Sequence, residues 1–306
     1  MAYNVGIDLG GTQIKAAAFS PEGDVLHRET SPTRDGERMD GVPAWADTIR
    51  GMLGAWTTRF GSEPWRVGLA APGLPAKDAR SIQSMPERMD GLEGFDWGRF
   101  LERADGVEVL NDAHAALLGE VWKGAARGRT DAVLLTLGTG VGGAVLANGR
   151  LIRGAIGRAG HLGHISLDVH GPVSILRTPG AIEELIGECS LAARTGGRFD
   201  TTRALLAAAD TGDAAAAEVW ARSIRALACA IVSYINVLDP EVVILGGGIT
   251  EAGDRLWHPL AQEMDQIEWR PAGHRVPIVR AELGGWAGAY GAAAPTGTNH
   301  TYDLRR

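Results

Sequence analysis

The stretch DAVLLTLGTGVGGAVLANG, residues 131–149, decides which kind of nucleotide fold this chain can adopt. An apolar run enters a glycine turn at Gly138–Gly140, and a second apolar run leaves it. Gly138, Gly140 and Gly143 match G-x-G-x-x-G literally. A dinucleotide fingerprint needs a strand before that pattern and a helix after it. Here "GGAVLANGRL" reads instead as a strand and a hairpin bent at Asn148-Gly149, so the Rossmann reading fails. No G-x-x-x-x-G-K-[ST] occurs, which removes the P-loop NTPases as well.

The first half of the chain shows the same order of elements. "YNVGIDL" is apolar, "QIKAAAFS" alternates loosely, and "DVLHRET" comes after the turn "PEG", giving three short strands over residues 3–31. Residues 42–60 put Val42, Trp45, Ile49, Leu53, Trp56 and Phe60 at helical spacing. "RVGLAAPG" and "GVEVLND" read as strands, and "AHAALLGEVWKG" as the helix after the second of them. After residue 131 the pattern restarts. A helix is expected over 213–238, where Val219, Ile224, Leu227, Ile231, Tyr234 and Leu238 recur. "PEVVILGGG" is a strand ending in glycine, as "RVGLAAPG" was. "RVPIVRA" is the next strand and "GWAGAYGAAA" a final helix.

The order predicts a duplicated α/β unit: two domains facing each other across a cleft. The expected division is an N-terminal α/β domain, 1–113 with about 286–306, and a C-terminal α/β domain, 114–285. The final helix is expected to return to the first domain, and the polar tail "PTGTNHTYDLRR" to be loosely held.

Composition narrows the class of function. A length of 306 residues suits about two domains, and a hydrophobic share of 45% supports sizeable cores. The formal net charge of -7, with no Lys/Arg tract, argues against nucleic acid as the partner. Cys189 and Cys229 are too few for a disulfide framework, which fits a cytoplasmic protein. "MAYNVGIDLGG" contains no signal-peptide core, and no apolar stretch is read as approaching the roughly 20 residues of a membrane span.

Several short motifs can carry chemistry. In "DLGGT", Asp8 to Thr12, glycines between two strands let backbone N–H groups approach an anion, and Thr12 adds a hydroxyl. Asp8 could orient Mg²⁺ through water. The plain alternative is a hairpin turn with a bulge. The turn Gly138-Thr139-Gly140 is its counterpart in the second half, and two such turns suit a nucleotide phosphate chain. "GGGIT", from Gly246, could let an adenine or ribose lie against the backbone, or could simply be a loop needing positive φ. "LNDAHAA" places Asn111 and Asp112 at a strand end before a helix. Asp112 could take a proton from a substrate hydroxyl, with Asn111 holding a neighbouring hydroxyl. Aspartate is also a common helix N-cap, which would be a purely structural use.

Taken together, "GIDLGGTQIKAAAF", "APG", "LNDAHAALLGE", "LLTLGTGVGGAVLANGRLIRGAIGRAGHLGHISLD" and "VVILGGGI" resemble the ROK family of sugar kinases in order and spacing over nearly the whole chain. The resemblance implies an actin-like ATPase fold of the hexokinase type. It implies transfer of the γ-phosphoryl of ATP to a sugar hydroxyl, such as the 6-OH of glucose or a related hexose. It assigns Asp112 as the base, and Asn111 and Gly73 to the sugar. It assigns ATP, with Mg²⁺ near Asp8, to Asp8, Gly10, Gly11, Thr12, Lys15, Gly138, Thr139, Gly140, Gly246, Gly247 and Gly248. A homodimer is the expected assembly.

The chain departs from the family in one region. The usual Glu-x-Gly-His reads "HLGH" here, so His161 stands in the glutamate's place and His164 keeps the histidine. The family's zinc loop ends Cys-Leu-Glu. Its counterpart here, "GPVSILRTPGAIEELIG", has no cysteine, and Ala181-Ile182-Glu183 matches those last three residues. Zinc takes about four N, S or O ligands, and three thiolates are missing, so no structural zinc is expected. His161, His164 and His170 could build a different metal site. The favoured reading gives His164 and Glu183 to sugar hydroxyls, His161 to the choice of sugar, and His170 to an exposed loop. Gln83 and Glu87, in the loop over 80–98, are weak further candidates for reading sugar stereochemistry. The rivals are a non-catalytic ROK-like sugar-binding regulator, for which no preceding DNA-binding segment is expected, and a protein-binding ATPase of the actin-like fold.

Overall fold

The computed structural model of the protein describes residues 2–85 and 88–295; Glu87 and nearly all of the C-terminal tail lie outside them. The chain forms two compact units. The first comprises the described residues of Met1–Gly128, Gly149–Ala159 and Glu282–Arg306, and the second Arg129–Asn148 and Gly160–Ala281.

In the first unit, β1 (Asn4–Leu9), β2 (Gln13–Phe19) and β3 (Val25–Pro32) form an antiparallel meander, at the place of the three short strands expected over 3–31. After α1 (Ala44–Phe60), β4 (Arg66–Ala71) and β5 (Glu108–Asn111) add in parallel, giving the order β3-β2-β1-β4-β5. Helix α2 (Asp112–Lys123) leaves directly from β5. One face of the sheet buries Val5, Ile7, Val67 and Leu69 with Trp45, Ile49 and Trp56 of α1.

The second unit repeats this plan. β6 (Ala132–Leu137) and β7 (Val141–Ala147) form the antiparallel hairpin around the glycine turn. Asn148 and Gly149, both at positive φ, make the bend the sequence signalled. β8 (Val242–Gly246) and β9 (Ile278–Arg280) add in parallel beyond β6. Helix α3 (Ala214–Leu238) starts at Asp213, whose side chain accepts from the Ala216 N–H. At 25 residues α3 is long and apolar enough by composition to cross a membrane, contrary to the sequence reading that no stretch comes near that length. Its apolar side is core instead: Trp220, Ile224, Leu227, Ile231 and Tyr234 are buried with Val133, Leu135, Val243 and Leu245.

The final helix, α4 (Ala287–Ala293), packs in the first unit. Its sequence, AGAYGAA, lets its backbone touch the backbones of β1, β4 and α2. A Cβ on Gly6 would fall 1.8 Å from the Ala289 carbonyl oxygen, and one on Gly68 2.0 Å from that of Ala292. A Cβ on Gly291 would fall 1.6 Å from the Ala115 oxygen. No side chain can occupy these spaces. The first unit extends through α2, past residue 113, because α2 and α4 are packed face to face at Gly119 and Gly291.

Gly291→Ala tests this contact. Overpacking commonly costs about 1–3 kcal/mol, and relief here requires two backbones to separate, so the melting temperature should drop by several degrees. An unchanged melting temperature would show that α2 and α4 do not meet this closely.

Candidate active site

In the first unit, β1 ends at Asp8 and Leu9, and the Gly10–Thr12 turn comes next. The Gly10 N–H donates to the Gln13 carbonyl. Thr33, fully buried, closes the turn from outside: its hydroxyl donates to the Gly10 carbonyl at 2.6 Å and its N–H to that of Thr12. Sequence reasoning missed Thr33, because nothing local in "SPTRDG" marks it. The space beside Gly11 is open. None of the three turn residues has positive φ, so glycine is not required there by the backbone angle.

The Asp8 carboxylate lies against α4, where a Cβ on Gly288 would fall 2.8 Å from it. Desolvation by that packing, with the nearby charge of Asp112, pushes its pKa up to about 7 against the opposing pull of Lys15. Lys15 sits opposite Asp8 in the β1–β2 register, and its ammonium donates to the Gly285 carbonyl at 2.8 Å.

At the end of β5 the capping residue is Asn111, not Asp112. The Asn111 Oδ1 accepts from the Ala113 and His114 N–H groups, and its Nδ2 donates to the Gly73 carbonyl at 3.1 Å. Gly73 has φ of 98°, and a Cβ on it would fall 2.5 Å from the Ser84 oxygen. The structural use foreseen for Asp112 thus falls to its neighbour. Asp112 becomes the first helical residue, its Oδ1 accepting from the Ala113 N–H next to it. Water still reaches Asp112, but protein surrounds its carboxyl closely enough that desolvation raises its pKa, opposed by that N–H, by the Asn111 side chain and by its own N–H. Behind it, the fully buried His114 reaches the Ala159 carbonyl at 2.9 Å through Nε2.

In the second unit the Gly138–Gly140 turn is held by the segment carrying Glu183. The Glu183 carboxylate accepts from the Val141 N–H at 2.9 Å. The N–H groups of Glu188 and Cys189 donate to the carbonyls of Gly138 and Thr139. A Cβ on Gly140 would fall 2.3 Å from the Glu183 carboxylate, a constraint invisible in the sequence. His161 and His164 flank a short turn, rings near parallel at 17° and centroids 6.4 Å apart. The His164 Nδ1 is shut off from solvent and meets no partner among the described residues. The Glu184 carboxyl is raised by desolvation and by Glu183, with His164 and Arg194 opposing.

His170 is exposed on the cysteine-free loop. No three His, Cys, Asp or Glu side chains converge as a metal set among the described residues, so His161, His164 and His170 do not gather. The loop closes on itself by backbone bonds, Leu167 to Gly180, Gly180 to Pro172 and Ser174 to Thr178. At the end of β8, Gly247 has φ of 89° and lies where a Cβ would meet the Leu137 oxygen at 2.3 Å. The plain reading of this loop as one needing positive φ is therefore correct at Gly247, while Gly248 faces open space.

The family model for ROK matches residues 4–296. The chain belongs to the ROK family. A glucokinase of Halalkalibacterium halodurans is 31% identical over 313 aligned positions, covering 94% of this chain and 93% of that protein. An N-acetylmannosamine kinase of Escherichia coli is 31% identical, with 94% and 96% covered. Among solved structures, the ROK hexokinase of Thermus thermophilus superposes with a TM-score of 0.84 at 30% identity, covering 95% of this chain and 97% of that one. A ROK glucokinase of Streptomyces griseus, solved with glucose and AMPPNP, gives 0.73 at 27%, covering 95% and 98%. The fold of this ROK protein is accordingly the actin-like, hexokinase-type α/β fold.

The raised Asp8 carboxyl has a consequence for stability. A carboxyl whose pKa is raised on folding contributes stability that is complete below its ordinary 3.8 and is lost as the pH climbs through about 7. In magnesium-free buffer, Asp8→Asn should therefore melt above the wild type at pH 8, and the gap should shrink towards pH 4. Parallel melting curves at all pH values would disprove the raised pKa.

Proposed function

We propose that this protein transfers the γ-phosphoryl of ATP to a hydroxyl of a hexose or a close relative, with Asp112 as the general base. As a family member over nearly its whole length, it is an ATP-dependent carbohydrate kinase. The observation that carries the assignment of the base is the division of labour at the end of β5. Asn111 caps α2, which leaves the Asp112 carboxylate free to accept a proton. Its raised pKa brings it nearer to working pH, where a general base is most effective.

Phosphoryl transfer asks a protein mainly for positioning and charge stabilisation, and the other roles divide accordingly. The Gly10–Thr12 and Gly138–Gly140 turns offer backbone N–H groups to phosphates, and Gly246–Gly248 the nucleoside surface. Asp8 fits Mg²⁺: a desolvated carboxyl pushed up to about 7 regains its charge beside a divalent cation, and the space at Gly11 is open. Mg²⁺, when bound, would neutralise charge on the transferring phosphate. Lys15 lies on the same side. His164, with its buried unpaired Nδ1, and Glu183 are the sugar ligands of the second unit. Asn111 and Gly73 mainly hold each other, so their part is to fix the edge on which the sugar rests. The reading carries with it a cytoplasmic homodimer acting on free sugar. A regulator that only senses sugar has no use for the proton acceptor that Asp112 supplies.

His161 is proposed to set sugar choice. A glutamate there only accepts hydrogen bonds, whereas an imidazole donates or accepts one at each nitrogen. The sugar should therefore differ from plain glucose near this side chain, or glucose should bind poorly.

Two experiments test these assignments, using a panel of hexoses, N-acetylhexosamines, and deoxy and anhydro sugars with ATP. Asp112→Asn should lower kcat by roughly 10²–10⁴-fold for the best sugar while leaving sugar and ATP binding largely intact. A kcat within a few-fold of wild type would remove Asp112 from the role. His161→Glu should change the ratio of kcat/KM between sugars by at least tenfold, about 1.4 kcal/mol, with a smaller fall in kcat. An unchanged ranking would place specificity elsewhere.

A further inference from the structure

Glu120 is the one charged side chain among the described residues with no exposed surface at all. It lies on the apolar side of α2, with Leu117 and Val121. No Lys, Arg or His among the described residues pairs with its carboxylate. Three backbone N–H groups satisfy it instead: Ala125 at 2.8 Å and Glu282 at 3.1 Å to Oε2, and Leu283 at 2.9 Å to Oε1. Burying a carboxylate is costly, and such a group persists where hydrogen bonds to its charged form replace water. Two of those bonds reach across 162 and 163 residues to the point where the chain re-enters the first unit, between Ala281 and Glu282.

Past this re-entry point the chain builds the back wall of the phosphate side. Gly284–Trp286 form a single turn, and the Gly285 carbonyl accepts from Lys15. A Cβ on Gly285 would fall 2.7 Å from the Lys15 ammonium, and one on Gly288 2.8 Å from the Asp8 carboxylate. The far side of the turn is held by Arg28, which lies over the Trp286 ring at 4.9 Å and donates to the Tyr290 hydroxyl. The turn that places Lys15 and Asp8 therefore has two anchors, and Glu120 is the buried one.

We infer that Glu120 is a positioning residue for the phosphoryl-donor half of the reaction: its carboxylate fixes the Glu282–Leu283 entry, and through the turn at 284–286 and α4 it sets where Lys15 and Asp8 meet the nucleotide phosphates and their cation. The inference rests on the proposed assignment of Asp8 and Lys15 to MgATP. Glutamine keeps the shape of Glu120 but not its chemistry. It has one acceptor oxygen, and its NH₂ faces backbone N–H groups that are themselves donors. A small displacement of positioned groups is enough to cost catalysis heavily.

The test is a split between the two substrates. In Glu120→Gln, kcat/KM for MgATP should fall roughly tenfold to hundredfold, while sugar affinity, measured at equilibrium without nucleotide, stays within about twofold. Unchanged MgATP kinetics in the folded variant overturns the inference. So does a parallel loss of sugar affinity, nucleotide affinity and melting temperature, which marks a carboxylate that only holds the fold. A second measurement needs no variant. In the wild-type protein, MgAMPPNP should slow amide exchange at Glu282 and Leu283, and sugar alone should not. Exchange that is indifferent to MgAMPPNP overturns the inference even if Glu120→Gln does not fold. If wild type phosphorylates no sugar in the panel, the proposed function fails by itself, and the exchange result still judges Glu120.

Discussion

The approach of α4 to the backbones of β1, β4 and α2 is the constraint on which the first unit depends. Helix and sheet normally meet through side chains. Here Gly6, Gly68 and Gly291 remove them, and carbonyl oxygens occupy the space where Cβ atoms would stand. The elements brought together this way carry the candidate chemistry at their ends. β1 delivers Asp8, α2 begins at Asp112, and α4 walls in the Asp8 carboxylate at Gly288. A contact between backbones has little slack, since neither side can change rotamer. The positions of the two carboxylates are thus inherited from the packing of a seven-residue helix of alanine, glycine and one tyrosine.

Three carboxylates in that unit are desolvated to different degrees. Glu120 is wholly buried and has its charge met by backbone N–H groups. Asp8 is only partly compensated: Lys15 opposes the desolvation without cancelling it, and the pKa rises to about 7. At Asp112 the Ala113 N–H and the Asn111 side chain oppose desolvation without cancelling it, and its pKa is likewise raised. The saturated carboxylate suits a structural anchor. The two whose pKa is raised suit groups whose charge is to be met by a cation or by a proton from substrate.

In the second unit the cysteine-free loop is closed by hydrogen bonding. Without cysteines, the loop between Ser166 and Ala181 closes through its own backbone and presents Val169, Val173, Ile175 and Leu176 to solvent. Glu183 lies just beyond that loop and also braces the Gly138–Gly140 turn through Val141. One carboxylate therefore touches the glycine turn proposed for phosphate while being proposed for sugar. This gives the two halves of the reaction a physical connection within a single unit.

Much of the architecture was legible in the sequence because it is local. Alternation in "QIKAAAF", helical spacing through 213–238, and Asn148-Gly149 at a bend each arise from a few adjacent residues, and the duplicated order of elements arises from repeating those signals. The motifs that resemble the ROK family were equally plain, being short and contiguous. Tertiary structure alone decided the rest. Which of Asn111 and Asp112 caps α2 depends on the Gly73 carbonyl, 38 residues away, which occupies the asparagine amide. Thr33 and Glu120 gain their partners from Gly10 and from Glu282–Leu283, at separations no local pattern records. Nothing in the sequence reading singles out Glu120, and only the returning chain supplies the N–H groups that explain it among Leu117, Leu118 and Val121. Sequence determines local conformation through neighbouring atoms; the state of a buried charge is determined by whatever distant chain replaces its water.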